Sequence, residues 1–130
     1  MGYIRTRSMY INDDYFPIYY QESTQMKNET FVRIMVENMS FGVPDSFKNA
    51  TSKILVTVGE KERKIMKESF VQLINSNPNS EGVIFPNIGH GASLAQPEFF
   101  NKVIESWIEQ KPLPSQIRLY NSSTNTKGDI

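Results

Sequence analysis

The chain has no cysteine and a single histidine among its 130 residues. Without cysteine there is no disulfide and no thiolate metal site, and a reducing cytoplasm fits that usage. No apolar run approaches the ~20 residues that a membrane span needs. Arg5 and Arg7 lie near the N-terminus, but no apolar stretch follows them, so a secretory signal is not expected. An excess of one charge is missing too. Fourteen basic and fourteen acidic residues cancel, which removes the electrostatic case for nucleic acid or an anionic membrane surface as partner. The densest basic stretch, Lys61 to Lys67, is broken by glutamates and reads as a solvated helix face. Asn-x-Ser/Thr triplets at Asn28, Asn38, Asn49 and Asn121 read as chance in an asparagine-rich chain.

What is present changes character near the middle. Nine of the fifteen aromatic residues fall between Tyr3 and Phe47, so the first half is aromatic-rich and reads as helical or irregular. Pro17 interrupts or starts a helix there. Asn28 to Met39 carries Phe31, Ile34, Met35 and Asn38 at three-four spacing, with Val32, Val36 and Met39 widening the apolar face, which predicts an amphipathic helix. Gly42 and Pro44 end it, and Asp45 is placed to cap a short helix through Asn49.

From residue 52 the pattern is that of alternating strands and helices. Ile54 to Val58 is a continuous, largely β-branched run, expected for a strand buried on both faces of a parallel sheet. A helix is predicted from about Glu62 to Asn75, with Ile65, Met66, Phe70, Leu73 and Ile74 on one side. Gly82 to Pro86 is a second short strand. Pro97 opens a last helix whose stripe is Phe99, Phe100, Val103, Ile104, Trp107 and Ile108, with Pro112 and Pro114 beyond it. The expected fold class is therefore α/β. Residues 1–51 form a helical segment, 52–114 a βαβα unit with two parallel strands and a crossover helix, and 115–130 a polar tail.

Chemistry in such sheets gathers where the strands end. His90 follows the second strand in Ile88-Gly89-His90-Gly91, and an acid follows the first in Gly59-Glu60-Lys61-Glu62. One crossover places both on the same edge of the sheet. A carboxylate there fixes the imidazole tautomer through Nδ1 and leaves Nε2 free to accept a proton. Glu60 and Glu62 are both candidates. Glu62 is preferred, because three residues after the glycine suit a turn folding back over the strand end. Gly89 and Gly91 leave room for the ring to project. No Gly-x-Ser-x-Gly occurs in the chain. Ser8, Ser23, Ser40, Ser46, Ser69 and Ser93 lack the strand-turn-helix setting that exposes a nucleophile, and Ser93 reads as a helix cap.

Ile54 to Glu62, Phe85 to Gly91, Pro97 to Asn101 and the helix ending at Trp107-Ile108 together resemble the C-terminal portion of the α/β-hydrolase fold. The resemblance spans roughly Ser52 to Pro112. It implies that Glu62 is the triad acid and His90 the general base, and that Tyr3 to Phe47 is a lid lining an apolar acyl pocket. The implied parent activity is hydrolysis of a small, apolar ester or related acyl compound, with no cofactor and no metal. The nucleophile, the oxyanion-hole loop and the first six strands of that family have no counterpart here. The chain thus reads as the C-terminal part of a serine hydrolase. The alternative is a catalytically inactive module derived from one, which self-associates or binds a partner. In either case Ile54 to Val58 should have an unpartnered outer edge, so an oligomer or association with the missing N-terminal half is expected.

Overall fold

The computed structural model describes residues 13–40 and 42–120. The expectations for Tyr3 to Tyr10, Phe41 and the end of the polar tail lie outside the described residues. A 3₁₀ turn at Asp13–Tyr15 leads into helices α1 (Phe16–Gln25) and α2 (Asn28–Ser40), and a second 3₁₀ turn covers Asp45–Asn49. Then come β1 (Ile54–Gly59), α3 (Lys64–Ser76), β2 (Ser80–Phe85), the short α4 (Ala92–Ala95), α5 (Pro97–Ile108) and β3 (Arg118–Tyr120). The protein is of mixed α/β character, with five α-helices and a three-stranded sheet among the described residues.

The strand order is β1-β2-β3. β1 and β2 run parallel, from Ile54 opposite Ser80 to Gly59 opposite Phe85, with α3 as their crossover helix. β3 lies antiparallel on the far side of β2, with Leu119 opposite Val83. The expected sheet of two parallel strands is thus one strand too small. β3 comes from the segment read as tail, because three residues of Arg-Leu-Tyr carry almost no periodic signal. They form a strand because β2 offers them a free edge to pair with.

Strand alternation divides the core between two faces of the sheet. Val56, Val58 and Ile84 turn to one side and pack with Phe70 of α3, joined by Ile54, Val71, Leu73, Ile74 and Tyr120. Val83 and Phe85 turn to the other and pack with Ile88 and with Val103 of α5, joined by Leu55, Phe99, Phe100, Leu113 and Ile117. Phe85 stands edge-on to Phe99 at 5.8 Å between centroids and stacks on Phe100 at 5.7 Å. β2 is therefore the strand buried on both faces, each large side chain contributing ~1.5–3 kcal/mol of hydrophobic stabilisation. β1, which has the unpartnered edge expected of it, is not buried on both faces as its apolar run suggested, because Thr57 is exposed.

The helical stripes are narrower than the sequence pattern suggests. On α3, Phe70 is buried, whereas Ile65 and Met66 are exposed. On α5, Val103 is buried and Ile108 is exposed. α1 and α2 bury no residue, and Ile18, Tyr20, Phe31, Ile34, Met35 and Met39 all stay open to solvent. Helix ends also differ in detail. Pro17 sits in the first turn of α1, as a helix start allows. Asp45 lies inside its 3₁₀ turn, with Pro44 in the capping position and no side-chain cap bond. Ser93 lies within α4, and α5 is preceded by Gln96 with no side-chain cap bond.

Two side-chain clasps tie the connections down. Asn77, fully buried at the end of α3, donates through Nδ2 to the carbonyls of Phe47 (2.6 Å) and Ala50 (3.0 Å), and its Oδ1 accepts from the Asn79 amide (2.7 Å). Every polar atom of that buried amide group has a partner, as burial demands. Trp107 Nε1 of α5 donates to Glu81 Oε2 of β2 at 2.7 Å.

Candidate active site

The C-terminal ends of β1 and β2 carry two loops that run side by side. The Glu60 amide donates to the Phe85 carbonyl and the Lys61 amide to the Ile88 carbonyl, each at 2.8 Å. The Glu62 amide folds back onto the Gly59 carbonyl at 3.1 Å, which is the turn expected to bring its side chain over the strand end. Gly59 permits this approach. A Cβ built there would lie 2.5 Å from the Gly89 carbonyl oxygen and closer still to that of Ile88. Only a residue without a side chain lets the second loop lie across the end of β1.

The consequence is a direct contact between the two candidate groups. Glu62 Oε1 stands 2.7 Å from His90 Nδ1, across 28 residues of sequence. A carboxylate only accepts, so Nδ1 carries the proton in this pair, and in the neutral ring Nε2 is left as an acceptor. The Glu62 side chain is 8% exposed and the His90 side chain 59%. The acid is thus shielded beneath the ring, while the ring presents its far side to solvent. The second Glu62 oxygen accepts from the Arg63 amide at 3.3 Å, so the buried carboxylate is not left without donors.

Glu60, the rival acid, points elsewhere. Its Oε2 accepts from the Asn87 amide at 2.8 Å. Asn87 is in the left-handed region at φ 58°, in the turn that carries the chain from β2 towards His90. Gly91, directly after His90, has φ 108°, a conformation that a side chain would strain, and it immediately precedes α4. Gly89 has no such dihedral. It is buried beneath the Gly59 crossing, a role its position beside the histidine did not reveal.

Among the described residues nothing else hydrogen-bonds the His90 ring. Three of the helical serines bond their own backbones: Ser40 Oγ donates to the Glu37 carbonyl, Ser69 to Ile65 and Ser76 to Gln72. No three acidic or histidine side chains among the described residues converge as metal ligands would. A cleft of about 540 Å³ lies at the opposite end of the strands, lined by Lys53, Glu81, Trp107, Lys111 and Tyr120 among others, and neither His90 nor Glu62 reaches it. No helix of the described residues is long and apolar enough to cross a membrane.

No protein-family model, no curated protein and no solved structure matches this chain.

Proposed function

We propose that the chain supplies the acid and the base of a serine hydrolase. Glu62 orients the imidazole and balances the charge that it gains. His90 Nε2 takes the proton of a serine hydroxyl as its oxygen attacks an acyl carbon, then returns that proton to the departing alcohol. Water repeats the cycle to release the acid. The serine and the donors that stabilise the oxyanion come from outside the described residues, by association with the N-terminal half of a hydrolase domain. The substrate class is a small, apolar ester or related acyl compound, and no cofactor is required.

The observation that carries this reading is the 2.7 Å contact between a shielded carboxylate and the Nδ1 of an imidazole whose side chain is more than half exposed. The test is hydrolysis of 4-nitrophenyl acetate by the wild-type chain and by His90→Ala, each mixed with the N-terminal half of an α/β-hydrolase domain that carries the nucleophile serine and the oxyanion-hole donors. A rate above buffer that disappears in the variant is expected. Equal rates would remove His90 from any catalytic role.

A second reading, an inactive module that self-associates or binds another chain, is favoured by a different observation. β1 is an uncharged strand at the edge of the sheet, and its outer backbone groups have no strand partner among the described residues. Such an edge recruits another strand. Light scattering over a range of concentrations tests it: a discrete oligomer without esterase activity favours this reading, and a monomer throughout refutes self-association.

A further inference from the structure

We infer that Glu60 is a positioning residue for His90, acting through the turn at Asn87 and never touching the reacting atoms. This deepens the proposed function and rests on Glu62 and His90 being its working pair. The two loops meet at successive points. Glu60 holds Phe85 by its amide and Asn87 by its side chain, Lys61 holds Ile88, and Glu62 then meets His90. Glu60 thus holds the second loop by both backbone and side chain.

Its side-chain bond falls on the exposed turn between β2 and His90. Asn87 stands in a left-handed conformation that L-residues visit at a cost, and its amide points at the Glu60 carboxylate although the residue is exposed. A carboxylate supplies a charge-assisted bond, stronger than a neutral one. With that bond in place, the direction of the chain from Asn87 through Ile88 and Gly89 is set, and the His90 ring arrives over Glu62. Without it, Phe85 and Ile88 stay held by their backbone bonds and their burial in the core, and the exposed Asn87 peptide between them can turn. The His90 ring, more than half exposed, has little packing of its own to hold it.

Because His90 is the only histidine, its ring nitrogens can be followed without assignment ambiguity by long-range proton–nitrogen NMR at a pH where the ring is neutral. The wild type should show the tautomer protonated at Nδ1, and Glu62→Ala should lose that preference. Glu60→Ala should also lose it, shifting towards the populations of a solvated imidazole, while amide resonances away from the two loops stay in place. Glu60→Gln, which keeps an acceptor for the Asn87 amide, should restore most of the wild-type preference. If Glu60→Ala keeps the Nδ1 tautomer while Glu62→Ala loses it, the positioning role is overturned and the pair stands. If the wild type shows no preference, the pair itself fails, and both readings fall with it. If Glu60→Ala unfolds, Glu60 is a fold residue, and the assignment is overturned as well.

Discussion

Replacing Gly59 by alanine should separate the two loops that bring Glu62 and His90 together. The added Cβ would stand 2.5 Å from the Gly89 carbonyl oxygen and nearer still to the Ile88 carbonyl, whereas ordinary contact begins near 3.4 Å. Both obstacles are backbone atoms, so no side chain can swing aside. The second loop must retreat by about 1 Å, a change on the scale that costs catalysis about 100-fold. The Lys61–Ile88 bond, now 2.8 Å, and the Glu62–His90 bond, now 2.7 Å, would then pass beyond hydrogen-bonding range. Overpacking of this kind destabilises by about 1–3 kcal/mol. At a urea dependence of about 2 kcal/mol per molar for a protein of this size, the unfolding midpoint should fall by about 1 M. Urea denaturation followed by circular dichroism measures the first effect, and the His90 tautomer measures the second. An unchanged midpoint together with an intact Nδ1 tautomer would refute the crossing as the device that holds the site.

Three further outcomes are expected. Asn77→Ala strips the partners from the Phe47 and Ala50 carbonyls and the Asn79 amide, and should cost about 3 kcal/mol by urea denaturation; amides near residues 47–50 should exchange faster with solvent. Phe85→Ala empties a fully enclosed ring site between Phe99 and Phe100 and should cost about 3–5 kcal/mol by urea denaturation. Glu62→Gln should keep the fold but no longer enforce one tautomer. Whatever esterase rate depends on His90 should fall, by up to about 10⁴-fold if the pair works as in a complete triad.

The correspondence between sequence and structure is strongest where a signal is local and repeated. Ile54 to Val58 is β-branched and continuous, and it is a strand whose observed end extends to Gly59. The crossover helix begins at Lys64, two residues later than its charged start suggests, because Glu62 and Arg63 are used in the turn that reaches His90. Parallel pairing of β1 with β2 puts the acid and the histidine on one edge, and that follows from a strand-helix-strand order. Periodicity cannot tell a helix face that meets a sheet from one that meets nothing. α2 has the expected apolar spacing, yet every one of its side chains is exposed.

The sequence by itself determined the two parallel strands, the crossover helix and the last long helix, their order, and the placing of one acid-bearing loop beside one histidine-bearing loop, because strand and helix periods and glycine and proline breaks act over a few residues. Only the tertiary structure decided which glutamate meets His90. Glu60 and Glu62 differ by two positions, and the choice between them depends on a backbone crossing at Gly59 that places one carboxylate under the ring and the other on the Asn87 amide. It likewise decided that Thr57 of β1 stays exposed, that three residues at 118–120 complete the sheet, and that Asn77 is a buried clasp. These features are contacts between segments distant in sequence, and their energies depend on distances that no local pattern encodes.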